Sequence, residues 1–165
     1  MKNLRRVSVP LAALFAGAAL SGSAAAGAPN GAATLEIAVI YAGRSDAGAS
    51  IDPALYDLPQ LTRDQPFVRY NVYKLLERTQ QPLEVGKPDT YGIVNGRTLQ
   101  VTLVDVTTGV APHPDRRYHV RAAIGEPGKQ AFLKLLEVTA SQGEPFFVGG
   151  QSYLGGTLFL ELLVR

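Results

Sequence analysis

The sequence predicts an all-β protein, an antiparallel β-sandwich or a small barrel, with about seven to nine short strands and one or two short helices. Two observations indicate this fold class. Apolar side chains recur at every second position in several stretches, which is the period of a half-buried strand. Turn signals rich in glycine, proline, asparagine and aspartate separate these stretches at short intervals.

The N-terminal residues have the three regions of a cleaved secretory signal peptide. A positive start is followed by an apolar run over residues 7–20 and by an A-x-A cleavage site at residues 24–26. The apolar run is shorter than the ~20 residues that span a bilayer. We therefore predict that residues 1–28 are removed on export, and that residues 29–165 form one domain in the periplasm or outside the cell.

The charge balance changes once the predicted signal is removed. The chain has 16 Lys and Arg against 14 Asp and Glu, and Lys2, Arg5 and Arg6 lie in the signal. Thirteen cations against 14 acids leave a net charge of −1, so global charge gives no reason to expect nucleic acid as a partner. Because the chain contains no cysteine, we expect neither disulfides nor a lipid anchor.

The first strand of the mature domain is predicted over residues 34–42. Leu35, Ile37 and Val39 point to one face, and Gly43 ends the run.

A loop over residues 43–65 follows, because glycine, proline and aspartate are frequent there. Within it, Asp52 and Pro53 are placed as the cap and first residue of a short helix that covers residues 54–58. Residues 67–77 are rich in aromatic and β-branched side chains, which favours a strand. A helix remains the alternative at YKLLER.

The stretch YGIVNGRTLQVTLVDV predicts a hairpin. Asn95-Gly96 is a strong signal for a type I′ turn, because both central residues of that turn have positive φ. Leu99, Val101 and Leu103 then share the inner face of the second strand.

A second antiparallel pair is predicted further along the chain. Over residues 117–124, Tyr118 and Val120 begin an apolar face that alternates with a charged one. The sequence GEPGK supplies a turn, and residues 131–139 form the returning strand.

The stretch GGQSYLGGT, residues 149–157, has the outline of a phosphate-binding P-loop, but Gly156 stands where the loop requires lysine. The octet LFLELLVR that follows ends the chain and alternates with period two, so no crossover helix follows the glycines. We therefore predict no nucleotide site, and instead a hairpin between strands at residues 145–148 and 158–164.

Four segments carry a resemblance that spans most of the predicted mature chain: IDPALYDLPQL, YNVYKLLER, NGRTLQVTLVDV and PFFVGGQSYLGGTLFLELLVR. Together they resemble small exported bacterial proteins of uncharacterised function, which have a signal peptide, an "nGr.L.l.l" strand and a terminal "vGG..y.gG.L.l" hairpin. The resemblance implies a common fold and export, and it implies no active site.

The sequence contains few candidates for catalysis or metal binding. Of its two histidines, His113 lies between prolines in a loop, and His119 lies on the polar face of a strand. A triad of Ser152, His119 and Asp105 can be drawn, but no serine has the G-x-S-x-G motif around it. The chain has no metal-binding motif. We therefore predict a protein that is not an enzyme and has neither cofactor nor metal.

One local charge pattern suggests a binding site. Arg117, His119 and Arg121 share one strand face, a basic stripe suited to sulfate, phosphate or an acidic polysaccharide. The alternative is a solvated face on which these cations pair with Glu137 or Glu144.

From these features we predict an exported interaction or structural module of the cell envelope, whose partner is another envelope protein or a polysaccharide. Two alternatives remain: a periplasmic protein that binds a small ligand, glycan or anion, and a hydrolase with an unrecognised site. A pocket lined by tyrosines favours the ligand alternative, and an unpaired edge strand favours the interaction module. The aromatic candidates for a groove are Tyr56, Phe67, Tyr70, Tyr73 and Tyr91.

Overall fold

The computed structural model describes residues 32–109, 115–127 and 132–165, and it confirms the predicted all-β class. The predicted signal peptide and His113 lie outside the described residues. Within the described ranges, no helix has the length and hydropathy needed to cross a bilayer. The elements in chain order are β1 (Ala32–Gly43), β2 (Ser50–Ile51), a 3₁₀ helix (Pro53–Leu55), α1 (Gln60–Arg63), a second 3₁₀ helix (Phe67–Arg69), β3 (Val72–Glu84), β4 (Pro88–Gly92), β5 (Thr98–Thr108), β6 (Arg116–Gly125), β7 (Phe132–Ser141), β8 (Pro145–Tyr153) and β9 (Gly156–Val164).

The strands form two sheets that pack face to face. One has five strands in the order β2-β3-β1-β9-β8, and the other has four in the order β4-β5-β6-β7. Neighbouring strands are antiparallel, except that the two-residue β2 pairs in parallel with β3. Of the two predicted architectures, the sandwich is the one observed.

The inner faces of the two sheets enclose the main core. Successive side chains of a strand point to opposite faces, so alternate residues of each central strand reach this core. The predicted inner faces of β1, β5, β6 and β9 are confirmed, and each of the following residues is buried: Leu35, Ile37, Val39, Leu99, Val101, Leu103, Tyr118, Val120, Ala122, Ile124, Leu158, Leu160, Leu162 and Val164.

A second core lies on the outer face of the five-stranded sheet. Residues 52–70 cover this face, and their buried leucines and Phe67 join Ile40 and Phe159 in one cluster. The Tyr73 hydroxyl donates a hydrogen bond of 2.6 Å to the carbonyl of Phe67, which ties the covering segment to β3. The central strands of this sheet are therefore covered on both faces.

The helix predicted at residues 54–58 is shorter than expected. Its cap is confirmed, because Oδ1 of Asp52 accepts a hydrogen bond of 3.0 Å from the N–H of Ala54. The helix itself is a single 3₁₀ turn over Pro53–Leu55, and Leu58 packs in the outer core beyond it.

The strand predicted over residues 67–77 is partly wrong. Phe67–Arg69 is a 3₁₀ helix, and the strand begins only at Val72. The turn allows Phe67 to enter the outer core, so tertiary packing overrides the strand propensity of these aromatic residues. The alternative of a helix at YKLLER is not observed, because these residues belong to β3.

The hairpin between β4 and β5 is confirmed, but its predicted turn type is wrong. Gly96 has a φ of 79°, whereas Asn95 does not have positive φ. The N–H of Gly96 donates to the carbonyl of Ile93 at 2.9 Å, and the N–H of Ile93 donates to the carbonyl of Arg97 at 2.8 Å. The loop is therefore longer than a type I′ turn, and only one of its residues, Gly96, has a positive φ.

The predicted glycine hairpin is also confirmed, as the connection between β8 and β9. Its two central residues, Leu154 and Gly155, have φ values of 45° and 79°, as in a type I′ turn. Gly150, with a φ of 92°, lies at an irregularity in the pairing, and a Cβ on Gly149 would collide with the ring of Phe159. Backbone conformation and packing therefore account for these glycines.

Candidate functional site

A cleft opens along one side of the sandwich, between β3 of the five-stranded sheet and β4 of the four-stranded sheet. It contains a cavity of about 260 Å³ whose floor consists of core residues of both sheets, namely Ile37, Val39, Ile93, Leu99 and Leu160. A second cavity of about 250 Å³ shares Gln81, Thr90 and Tyr91 with the first, so the two cavities lie side by side along this cleft.

The wall of the cleft that belongs to β3 is polar. Glu77, Thr79 and Gln81 are paired with core residues of β1, so they occupy positions that face the interior of the sandwich. All three line the first cavity. The cleft therefore combines an apolar floor with a polar wall, which is the usual composition of a binding site.

The same wall is a free strand edge. β2 pairs only with Val72 and Tyr73, and the N–H of Leu75 donates to Oδ2 of Asp52 at 3.4 Å. Residues 76–84 of β3 have no strand partner on that side within the described ranges. On the other wall, β4 is the terminal strand of its sheet. A row of unpaired backbone N–H and C=O groups is a template for another extended chain.

Acidic groups without cationic partners line the cleft. Lys87 pairs with Glu84 at 3.4 Å, but Glu77 and Asp89 form no ion pair with any described residue. The cation next to Glu77 in the sequence, Arg78, lies on the opposite face of β3.

Tyr91 lines both cavities and has a perturbed hydroxyl. Burial, with a smaller contribution from the nearby charge of Asp89, raises the pKa of Tyr91 to about 12. The hydroxyl oxygen is buried and has no hydrogen-bond partner among the described residues. The tyrosine therefore remains protonated at physiological pH and keeps an unused hydrogen-bond donor.

The basic stripe predicted on β6 exists, but one of its cations is paired. Arg117, His119 and Arg121 lie on the outer face of the four-stranded sheet, since the residues between them point to the core. Arg121 donates to Oε1 of Glu137 through Nη2 at 2.6 Å and through Nε at 2.8 Å. The predicted alternative, pairing with Glu137, is thus observed for Arg121.

The three residues of the hypothetical triad do not share one face. Asp105 and His119 are direct neighbours on β5 and β6, where both point outward. Ser152 belongs to β8 in the other sheet. Among the described residues, no group of three or more His, Cys, Asp or Glu is arranged to hold a metal ion.

The predicted aromatic groove is only partly assembled. Tyr56 is 71% exposed, and Tyr73 is buried under the covering segment. Phe67 and Tyr70 line a cavity of about 330 Å³ beside β8. The ring of Phe67 lies edge-on to that of Phe159, with centroids 4.8 Å apart, so these two rings contribute to the outer core.

Glu161 is an unusual residue that sequence reasoning missed. It lies on the outer face of β9, is only 7% exposed, and has a buried Oε2 without a hydrogen-bond partner in the described structure. Burial raises the pKa of its carboxyl to about 7, and Arg78 partly opposes this effect. The signal was present in the sequence, because the octet LFLELLVR contains one acidic residue in an otherwise apolar strand.

No protein-family model, curated protein or solved structure shows a significant match to the chain.

Proposed function

We propose that residues 29–165 form an exported, non-catalytic binding module of the cell envelope, and that it takes up an extended segment of a partner protein in the cleft between β3 and β4. The observation that carries the proposal is a free strand edge directly beside a cavity whose floor is the main core. The signal-like N-terminal sequence supports export to the periplasm or beyond.

The backbone of β3 supplies the first half of the recognition. A partner segment alongside residues 76–84 would extend the five-stranded sheet, as in β-strand addition. Each new backbone hydrogen bond contributes a net ~0.5–1.5 kcal/mol. Several of them therefore give useful affinity that does not depend on the side chains of the partner.

The cavity supplies the second half. Side chains on the inner face of an added strand would lie beside Thr79 and point toward β4, over the apolar floor. A cavity of about 150 Å³ holds benzene, so the 260 Å³ cavity is large enough for one aromatic or large aliphatic side chain. Burial of such a side chain contributes ~1.5–3 kcal/mol.

The edge also has features that limit indiscriminate pairing. Pro82 removes one backbone donor, and the exposed charges of Glu77 and Arg78 disfavour association with a generic apolar strand. A partner must therefore match the edge in both shape and charge.

A small ligand is the second candidate occupant. The polar groups of Thr79, Gln81 and Tyr91 that line the cleft favour it. Each cavity is nevertheless below the ~300–1,000 Å³ typical of small-molecule pockets, which favours a single inserted side chain. The basic stripe is a weaker candidate for polyanion binding, because Arg121 is already paired.

A peptide-display experiment tests the proposal. The purified domain (residues 29–165) is used to select from a random 12-residue peptide library, in parallel with Thr79→Trp, which fills the cavity. The matched control is Thr107→Trp, an exposed position on the other sheet. We expect the wild type and Thr107→Trp to enrich the same peptides and Thr79→Trp to lose them. Equal enrichment by all three proteins would place binding outside the cleft. If Thr79→Trp shows a much smaller heat-capacity change on unfolding than the wild type, the variant is misfolded and its loss of peptides does not report on the cleft.

A further inference from the structure

The charges around the cleft indicate which partner segments it accepts. We infer that the cleft selects a cationic segment in which a large apolar residue has Lys or Arg two positions before and two positions after it. This inference rests on the proposed function and adds the chemical class of the partner.

Carboxylates without an ionic partner lie on both walls of the cleft. Glu77 belongs to β3 and Asp89 to β4, and neither forms an ion pair with a described residue. The cation that lines the cleft, Lys87, is paired with Glu84. The lining of the two cavities therefore carries more negative than positive charge, with two carboxylates still free.

The neighbouring cations of β3 do not neutralise these groups. Arg78 points to the opposite face, where its Nε lies 3.6 Å from Oε1 of Glu36. Lys74 lies beyond the irregularity in the pairing of β1 with β3, and it lines neither cavity.

Strand geometry fixes the spacing of the complementary charges. Inner-facing positions of a strand recur every two residues, about 6.6–6.8 Å apart. If the apolar side chain of the partner enters the cavity beside Thr79, its neighbours two residues away lie beside Glu77 and Gln81. Gln81 lines the second cavity together with Asp89, so a basic side chain at that position meets the carboxylate of β4.

The expected contribution of these charges is moderate and depends on salt. An exposed ion pair changes an equilibrium constant by a factor of up to about 5. Two such pairs should therefore change affinity by roughly 10-fold at low ionic strength, and the difference should shrink when salt shortens the Debye length to about 3 Å at 1 M.

The test uses peptides enriched by the wild type but not by Thr79→Trp in the library selection. We expect these peptides to carry the pattern basic-x-apolar-x-basic more often than the unselected library. The dissociation constant of the most enriched peptide is then measured by fluorescence anisotropy for three proteins: wild type, Glu77→Gln with Asp89→Asn, and a control that combines Asp46→Asn with Glu144→Gln. The control removes two exposed acids that line neither cavity.

We expect the cleft double variant to bind about 10-fold more weakly at low salt and the control to match the wild type. Selected peptides without basic residues, or equal affinity for the cleft variant, would overturn the inference about charge and leave the proposed function standing. If the wild type enriches no peptide that Thr79→Trp fails to enrich, both proposals fail.

Discussion

The inner faces of β9 and β3 belong to the same sheet, yet they have opposite chemistry. In β9 the inner positions are leucines and a valine, all fully buried against the other sheet. In β3 the equivalent positions from Glu77 to Gln81 are polar, and they line a cleft. The comparison shows that alternation alone does not place a residue in the core, because a face is buried only where the second sheet covers it.

The largest expected change in stability comes from the inner face of β9, which the second sheet covers. Leu162→Ala removes a fully buried side chain from the main core, so we expect the free energy of unfolding to fall by about 2–5 kcal/mol. Urea denaturation of a protein that comprises residues 29–165 measures this change. A loss below about 1 kcal/mol would mean that the two sheets do not close tightly over β9.

The outer face of β9 gives the next effect, which depends on pH. Burial raises the pKa of Glu161 from 4.5 to about 7, so the folded state favours the protonated form. The contribution of protonated Glu161 to the free energy of unfolding is fully present below the unfolded pKa, and it is lost as pH rises from about 4.5 to 7. We expect Glu161→Gln to remove this loss and to be about 1–3 kcal/mol more stable than the wild type at pH 8. Thermal denaturation from pH 4 to pH 8 tests this expectation, and parallel pH profiles for the two proteins would contradict it.

The exposed face of the four-stranded sheet should contribute less. Arg121 and Glu137 are each about half exposed, so we expect Glu137→Gln to reduce stability by no more than about 1 kcal/mol. The same substitution frees Arg121 and completes the basic stripe, so retention on a heparin column at low salt should increase. Unchanged retention of Glu137→Gln, together with unchanged retention of Arg117→Glu/Arg121→Glu, would remove the stripe as an anion site.

The smallest effect on stability is expected within the cleft itself. Gln81 is exposed although it faces inward, so Gln81→Leu should change the free energy of unfolding by less than about 0.5 kcal/mol. Urea denaturation of Gln81→Leu beside Leu162→Ala gives the contrast between the two strands. A large change in Gln81→Leu would show that the cleft is closed in solution.

Much of the sandwich could be predicted because period-two alternation is a local property. The inner faces of β1, β5, β6 and β9 follow directly from their sequences. The start of β3 was missed because the burial of Phe67 depends on a sheet face that is distant in sequence. The turn at Asn95 was misassigned because hydrogen bonds of the neighbouring Ile93 and Arg97 set its length.

The candidate site was harder to predict than the fold. The stripe of Arg117, His119 and Arg121 shares one strand, so alternation revealed it. The cleft joins Glu77 of one sheet to Tyr91 of the other, and only the packing of the sheets brings them together. The sequence predicts Tyr91 for a groove, but its cleft neighbours Thr79 and Gln81 lie in the uninterrupted polar run ERTQQ, which does not show which side chains face inward.

The central claim is that the edge of β3 pairs with a partner segment. Hydrogen exchange of the backbone amides at residues 76–84, measured by NMR with and without a peptide from the library selection, tests it most directly. We expect alternate amides of this stretch, apart from Pro82, which has no N–H, to become protected on binding, because only every second N–H of a strand points to the free edge. Exchange rates that stay the same in β3 while the peptide is bound would contradict the claim.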